Sequence, residues 1–227
     1  MELIHNHIEH IALFIFLLSW LGYSTFVHCY RHLPGNLYSI MRQHRVEWMK
    51  NSIMRDNRAA DVMNMGNLMR SIGIFASGAI IIVGALMPLF RHTESLRSFL
   101  NDLPFITYQT IEELQFKLSL LAVIFIHAFF KFTWSLRQYQ YASILLLARN
   151  HAKKLDKKAL ADAEANAAII CNAARHFSMG IKSFYFGIAV LSWFVNSYLF
   201  IAITVLIVTV LIRREFFSKA LNIIANE

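Results

Sequence analysis

Charged residues are scarce in this chain of 227 residues. Asp, Glu, Lys and Arg make up 16% of it and apolar residues 57%, whereas soluble domains contain about 25% charged and 45–50% apolar residues. A soluble fold of this length cannot bury so much apolar surface, so the composition excludes the disordered, collagenous and ordinary cytosolic classes. Cysteine is scarce too, and the distance between Cys29 and Cys171 excludes a disulfide framework. The composition predicts an integral membrane protein.

Motifs that carry catalytic chemistry are missing as well. The sequence has no phosphate-binding glycine loop, no CxxC pair, no HExxH helix and no nucleophile elbow. No reaction class has a residue set here, so the sequence favours a protein that is not an enzyme and binds no cofactor, metal or nucleic acid. His5, His7 and His10 lie beside Glu9 near the N-terminus, and we expect them to form a solvated helix start and not a metal site.

Stretches without charge predict the membrane spans. Residues 11–30 and 71–90 are two such stretches of 20 residues, which match the roughly 20 helical residues that a bilayer core of about 30 Å requires. A third stretch, 118–130, becomes long enough when Lys117 and Lys131 extend their amines to the two interfaces. Because these runs do not alternate with period two, helices are predicted and not a barrel.

The last apolar run, 183–212, is longer than one bilayer core requires. Its 30 residues correspond to about 45 Å of helix. It forms either a hairpin near Asn196-Ser197, which gives five crossings, or one long tilted helix, which gives four. The sequence favours four. The predicted fold class is therefore all-α, a polytopic helical membrane protein with four transmembrane helices and five as the alternative. The predicted spans are 9–30, 70–90, 114–136 and 181–212, in a single membrane domain over 1–227.

Loop charges predict the orientation of these spans. Segment 31–70 holds seven Lys or Arg and segment 131–182 holds nine, whereas the first ten residues hold none. Segment 91–117 holds three, against four acids. The N-terminus is therefore predicted to be non-cytoplasmic and the basic segments cytoplasmic. Within them, 36–69 and 150–178 are predicted to be helical extensions of the spans.

The third span carries the most polar side chains. His127, Lys131 and Trp134 follow one another at spacings of four and three, so they share a helix face, and Arg137 lies on a neighbouring stripe. Such a basic, aromatic face suits an anion, a lipid phosphate or a proton relay through His127. The alternative is that Lys131 contacts lipid headgroups while Trp134 belongs to the aromatic belt.

Small residues in the second span predict close helix packing. Gly73 and Ser77 form a small-xxx-small pair, and Gly84 follows them. This pattern is common in membrane helices and argues for packing only.

Five stretches of the chain form a recognisable set. They are Ser19-Trp20-Leu21-Gly22-Tyr23, Arg45-x2-Trp48-Met49 with Arg55 and Arg58, Phe75-Ala76-Ser77, residues 129–139 (FFKFTWSLRQY), and Phe184-Tyr185-Phe186 through Arg213-Arg214-Glu215-Phe216. Together they resemble the bacterial and plant membrane proteins grouped as "domain of unknown function 599". The resemblance covers almost the whole chain and implies a multi-pass protein of the bacterial inner membrane, but no activity. Where the family has Gly-Pro in the last apolar run, this chain has Asn196-Ser197, which weakens the hairpin alternative.

The matching charged residues Arg45, Arg58, Lys131 and Arg137 all map to the predicted cytoplasmic side. Two separate segments place Arg or Lys beside Trp at the same depth, so we expect one basic vestibule with tryptophan walls. Its predicted residues are Arg45, Trp48, Arg58, Lys131, Trp134 and Arg137, with His127 deeper in the span.

Three functions fit this pattern. The sequence favours a homo-oligomeric channel or transporter that opens into the vestibule, because four spans alone can hardly enclose a wide path. The second is a non-transporting scaffold or accessory subunit that binds anionic lipid or an acidic partner, since each juxtamembrane Lys or Arg contributes about 1 kcal/mol near an anionic surface. The third is a b-type haem subunit that uses His127 with His28 or His176 as axial ligands.

Overall fold

The described part of the chain is entirely helical. The computed structural model describes residues 2–30, 37–149, 151–216 and 223–224, and within these ranges the side chains of 2–6, 24 and 26–30 are left aside. These ranges contain no strand, which confirms the all-α prediction. The helices are α1 (Glu2–Tyr30), α2 (Leu37–Ile53), α3 (Ala59–Arg91), α4 (Thr93–Asn101), α5 (Ile111–Ala148), α6 (Lys157–Trp193) and α7 (Ser197–Phe216).

Two helices in the described part of the chain are long and apolar enough to cross a membrane. They are α3, with 33 residues, and α5, with 38, and they contain the second and third predicted spans. A shorter apolar stretch, His7–Tyr23, lies within α1. By length and composition, α3 and α5 are candidate membrane spans.

The last apolar run forms two helices and not one. Because α6 ends at Trp193 and α7 begins at Ser197, the prediction of a single tilted helix over 183–212 is wrong. The physical reason is the side chain of Asn196, whose Oδ1 accepts a hydrogen bond of 2.7 Å from the backbone N–H of Leu199. This is the N-cap interaction that asparagine makes readily at a helix start. Asn196 therefore begins a new helix where the sequence suggested continuity.

Aromatic contacts show that α6 and α7 run side by side in opposite directions. The ring of Trp193 stacks on Phe200, with centroids 4.6 Å apart and an interplanar angle of 10°. Phe16 of α1 packs against Phe186 at 5.7 Å and against Phe200 at 5.1 Å. Since Phe16 touches one residue before the turn and one after it, the two helices form a hairpin packed on α1.

The chain groups into two compact units, whereas the sequence predicts one membrane domain over 1–227. Helices α3, α5 and α6 each contribute to both units. Unit 1 comprises Met1–Tyr30, Gly78–Ala128 and Ile181–Arg214, and unit 2 comprises Arg31–Ser77, Phe129–Gly180 and Glu215–Glu227.

Charge is divided unequally between the units. Unit 1 contains six Lys or Arg and six Asp or Glu, whereas unit 2 contains sixteen and eight. The whole formal net charge of +8 therefore belongs to unit 2, and unit 1 is neutral.

Unit 1 has large apolar side chains on its outside as well as inside. Phe14, Leu18 and Ile81 are each more than 60% exposed, although Phe16 and Phe200 nearby in sequence or space are fully buried. Monomeric soluble proteins rarely expose such side chains together. The exterior of unit 1 is therefore suited to an apolar environment.

The predicted packing stripe Gly73, Ser77 and Gly84 makes no close helix contact within the described chain. A Cβ on Gly73 or Gly84 would meet no described atom within 4 Å, and Ser77 is exposed. The reason is the rotation of α3, which buries Ile72 and Ala79. At about 100° per residue the small residues lie roughly 110–150° away from that buried face.

Close packing occurs instead at two glycines of α6. A Cβ on Gly180 would overlap the ring of Phe132, and one on Gly187 would lie 2.9 Å from the ring of Phe125. Both aromatic rings belong to α5. Glycine at these positions therefore lets α5 approach α6 closely.

Candidate functional site

The indole of Trp48 is hydrogen-bonded to the carboxylate of Asp61 inside unit 2. Its Nε1–H donates to Asp61 Oδ1 at 2.7 Å, Arg55 Nη1 donates to the same oxygen at 2.8 Å, and Ser52 Oγ–H donates to Oδ2 at 2.8 Å. Burial alone would raise the pKa of Asp61, but these three hydrogen bonds and the charge of Arg55 outweigh it and hold the pKa below its usual value. Asp61 therefore stays ionised and fixes the indole in place.

Arg58 also forms its hydrogen bonds inside unit 2. Its side chain is 8% exposed, and its guanidinium donates to backbone carbonyls at the ends of two helices. The acceptors are Ser52 at 3.2 Å and Ile53 at 3.0 Å in α2, and Leu146 at 2.5 Å and Arg149 at 2.8 Å at the end of α5. The last carbonyls of a helix have no intrahelical partner, so Arg58 caps α2 and α5 together. Buried in this way, Arg58 does not line an open vestibule, which corrects the prediction for this residue.

The other two predicted arginines have separate neighbours. Arg45 Nη1 lies 4.0 Å from Cys171 Sγ. Arg137 is exposed, and its Nε–H donates to the hydroxyl of Tyr141 at 2.7 Å. The described contacts therefore do not gather Arg45 and Arg137 into one site with the tryptophans.

A group of basic side chains does come together in unit 2, where α5 faces α6. The indole of Trp134 stands edge-on to the imidazole of His176, with ring centroids 6.4 Å apart at 85°. Lys131 precedes Trp134 by one turn on α5, and Arg175 precedes His176 on α6. We call Lys131, Trp134, Arg175 and His176 the basic cluster.

The basic cluster has two buried nitrogens without a hydrogen-bond partner in the described chain. Arg175 Nε and His176 Nδ1 are buried and have no hydrogen-bond partner among the described residues. Within the same ranges, no acidic side chain forms an ion pair with Lys131 or Arg175. Burial first, and then the charges of Lys131 and Arg175, lower the pKa of His176 from 6.5 to about 4. The imidazole is therefore neutral at pH 7, beside two cations that are not compensated.

Sequence reasoning found half of this cluster. It selected Lys131 and Trp134, considered His176 only as a haem ligand, and missed Arg175. A signal was available, because Arg175 is the only Lys or Arg between residues 159 and 181. An isolated arginine in a long alanine-rich helix indicates a specific use.

His127 belongs to unit 1 and has partners of its own. Its ring stands edge-on to Trp20, with centroids 5.6 Å apart at 89°, and its Nδ1 lies 3.0 Å from Ser183 Oγ. His28 is one of the two alternative partners proposed for His127 as a haem ligand, and its side chain lies outside the described residues. No group of three or more His, Cys, Asp or Glu that could hold a metal ion occurs in the described part of the chain.

Unit 1 encloses a buried ion pair at the start of α5. Lys117, expected to reach the membrane interface, is 2% exposed, and its Nζ lies 3.7 Å from Glu9 Oε1. The carboxylate also accepts Trp193 Nε1–H at 2.5 Å and Ser197 Oγ–H at 2.6 Å. Lys117 Nζ donates to Gln109 Oε1 at 3.2 Å and to the carbonyl of Trp193 at 3.3 Å. These contacts keep the amine inside unit 1 and tie α1 and α5 to the turn between α6 and α7.

The comparison with known proteins agrees with the motifs. The model of the family described as "Protein of unknown function, DUF599" matches residues 11–220, nearly the whole chain, which confirms the resemblance inferred from the motifs. Neither a curated protein nor a solved structure matches. The chain therefore belongs to the DUF599 family of proteins of unknown function.

Proposed function

We propose that this chain is a multi-pass protein of the bacterial inner membrane that acts as a non-transporting scaffold and holds anionic lipid with its basic unit. In this proposal the apolar runs of the helices cross the bilayer, and the basic segments 31–69 and 137–180 are cytoplasmic. The observation that carries the proposal is the division of charge, because unit 1 is neutral and unit 2 holds the whole net charge of +8. Lys and Arg are enriched in cytoplasmic segments of membrane proteins, and they are attracted to the anionic cytoplasmic leaflet.

Five crossings fit this arrangement better than four. The hairpin of α6 and α7 returns the C-terminal end of α7 to the side from which α6 entered. Arg213 and Arg214 then lie in the cytoplasm, in agreement with the positive-inside tendency, whereas four crossings leave them outside. The N-terminus remains non-cytoplasmic, as in the sequence prediction.

Contacts at the two ends of unit 1 support the same topology. Glu9, Lys117 and the turn at 194–196 meet at one end, which is the non-cytoplasmic end in this proposal. At the other end, Arg214 Nη1 donates to the hydroxyl of Tyr185 at 2.8 Å, and Lys182 Nζ lies 4.9 Å from the ring centroid of Tyr23. Basic and tyrosine side chains are common at a membrane interface.

The topology can be tested with single cysteines in intact cells. Cys29 and Cys171 are first replaced by serine, and a membrane-impermeant thiol reagent is applied from outside. We expect Tyr198→Cys, at the exposed start of α7, to be labelled like the non-cytoplasmic control Phe105→Cys, whereas Lys154→Cys is protected. A single crossing by 183–212 would instead protect Tyr198→Cys and expose Arg213→Cys to the reagent.

A channel or transporter, which the sequence favours, has less support. The interior of unit 1 is filled by aromatic rings such as Phe16, Phe186 and Phe200, so a conducting path would have to lie between copies in a homo-oligomer. Two of the predicted vestibule residues, Trp48 and Arg58, are held by internal hydrogen bonds. The scaffold requires neither an open path nor a shared vestibule.

Lipid retention by the purified protein tests the scaffold. The full chain in mild detergent is mixed with equal amounts of phosphatidylglycerol and phosphatidylcholine, and bound lipid is counted by native mass spectrometry. We expect phosphatidylglycerol to be retained preferentially, with retention that falls as salt rises, because exposed charges are screened within about 10 Å at 0.1 M salt. Equal retention of the two lipids, or a preference that salt does not weaken, would contradict the proposal.

A further inference from the structure

The basic cluster has the composition of a binding site for one phosphate group. We propose that Lys131, Arg175 and His176 together bind a phosphate, with the indole of Trp134 covering one side of it. This inference rests on the proposed function, since it names the chemical group by which unit 2 holds an anionic lipid. It differs from a general electrostatic attraction to the anionic leaflet because it places one phosphate group at one defined set of side chains.

Two buried nitrogens of the basic cluster have no hydrogen-bond partner. Arg175 Nε–H is buried without an acceptor in the described chain, and His176 Nδ1 is buried there without a partner. Buried polar groups in native proteins are almost always satisfied, and an unsatisfied one requires an explanation. A single anion between α5 and α6 would supply an acceptor to Arg175 Nε–H, would accept from His176 Nδ1 in the tautomer or the charged form that carries a hydrogen there, and would receive the ammonium of Lys131.

The basic cluster also carries uncompensated charge. The charges of Lys131 and Arg175 lower the pKa of the His176 imidazole, yet neither residue forms an ion pair with a described acid. Elsewhere in unit 2 the basic residues Arg55 and Arg149 do have carboxylate partners. A bound anion would supply the negative charge that the described residues do not bring to the basic cluster.

The side chains of the basic cluster favour a phosphate over other anions. A phosphate presents several oxygens in a tetrahedral arrangement, and it is bound well by an arginine fork together with a lysine point charge. Trp134 is 49% exposed, and an amphipathic ring beside a phosphate fits the glycerol and first methylenes of a lipid. The arrangement thus favours a lipid phosphate over a free one, although both share the same chemistry.

Binding should also change the histidine. The charges that face His176 from the two helices are those of Lys131 and Arg175. A bound phosphate offsets them, so the pKa of His176 rises when the site is filled. By linkage, phosphate binding strengthens as the pH falls below neutral.

Titration of the full-length protein in mild detergent tests the site. The probes are short-chain phosphatidic acid, inorganic phosphate and short-chain phosphatidylcholine, each followed by calorimetry. The variants are Lys131→Gln and Arg175→Gln. Lys154→Gln, an exposed lysine of unit 2, is the matched control because it removes the same charge outside the basic cluster.

We expect one equivalent of phosphatidic acid to bind, and each cluster variant to weaken it about tenfold or more, as loss of a charge-assisted hydrogen bond does. Lys154→Gln should weaken it less than about twofold, because exposed charges are screened. Weaker binding of inorganic phosphate than of phosphatidic acid identifies the lipid as the source, and equal binding identifies the free anion. Lys131→Gln decides the test if thermal unfolding shows that Arg175→Gln does not fold.

The outcomes separate the site from the proposed function. If all three variants weaken phosphatidic acid binding equally, the attraction is diffuse, so the scaffold stands and the site is overturned. If the wild-type protein binds neither phosphatidic acid nor inorganic phosphate, while it still retains phosphatidylglycerol in the salt-dependent way described above, the site alone is overturned. If it retains no anionic lipid at all, both fail.

Discussion

Units 1 and 2 each hold a carboxylate in an internal ion pair. They differ in the cations close to their buried groups, which in unit 2 include some without a described carboxylate partner. In unit 1, Glu9 and Lys117 neutralise each other among apolar helices. In unit 2, Asp61 binds Arg55, while Lys131 and Arg175 are left without a described acid. The buried ammonium of unit 1 is thus paired with a carboxylate inside the unit, whereas in unit 2 the proposed phosphate would supply the charge that Lys131 and Arg175 lack.

Breaking the buried pair of unit 1 should have the largest effect. In Glu9→Ala the ammonium of Lys117 stays buried without its carboxylate, so we expect a loss of about 3–5 kcal/mol in the free energy of unfolding. Denaturant titration in mild detergent measures it. The double variant Glu9→Ala/Lys117→Met removes both charges and should recover most of that loss. If Glu9→Ala alone unfolds like the wild type, the pair does not hold unit 1 together.

Removal of the Arg58 cap should destabilise unit 2 by a smaller amount. Arg58→Met keeps most of the apolar stem but leaves the carbonyls at the ends of α2 and α5 without their donor. We expect a loss of about 1.5–3 kcal/mol, the range for hydrogen bonds to a charged group. Hydrogen exchange should accelerate in both helix ends, while amides of unit 1 are unchanged. Arg137→Met, which alters an exposed arginine, serves as the control and should leave both rates as they are.

Acidification should act on unit 2 through His176. The folded-state pKa is about 4 and the ordinary value 6.5, so the unfolded state binds the proton more readily. Stability is therefore complete above pH 6.5 and falls as the pH decreases from 6.5 to 4. Thermal unfolding followed by circular dichroism measures this slope, which His176→Gln should flatten. Filling the basic cluster with phosphatidic acid should reduce the slope as well, because the pKa of the histidine then rises.

Glycine substitutions should give the smallest effects, with opposite signs in the two units. Gly73→Ala in unit 2 meets open space, so helix propensity should stabilise it by up to about 1 kcal/mol. Gly187→Ala in unit 1 brings a Cβ to 2.9 Å from Phe125 and should destabilise it. Unfolding midpoints of the two variants measure the contrast. Destabilisation by Gly73→Ala would show instead that this face of α3 packs against a second copy.

Local features of the sequence were enough for most of the helical segments and for their apolar runs, because propensity acts within a few residues. The bounds were not: segment 36–69 was predicted to be helical throughout, but α2 ends at Ile53 and α3 begins at Ala59, and in segment 150–178 the helix α6 begins only at Lys157. The break at Asn196 was misjudged, since its capping role depends on which backbone N–H its side chain meets. Gly73 and Gly84 were misjudged because spacing does not reveal which face of a helix is buried.

Partners far apart in sequence could not be predicted. Lys117 reads as a lysine at a helix end, and only the packing of α1 against α5 brings Glu9 to it. Arg58 reads as one of seven basic residues in its segment, and only the tertiary fold brings two helix ends to its guanidinium. Arg175 and Lys131 can each be noticed in the sequence, but only the packing of α5 against α6 brings them to the same histidine.

The amino-acid sequence by itself determined the helical class, the apolar runs, the family and the concentration of positive charge in a few segments. These properties depend on composition and on neighbours within a few turns, where hydrophobicity and helix propensity act directly. The tertiary structure decided which charges are neutralised and which remain. That choice depends on helix rotation and on the meeting of distant segments, since an ion pair or a buried hydrogen bond forms only where packing brings both partners within a few ångströms.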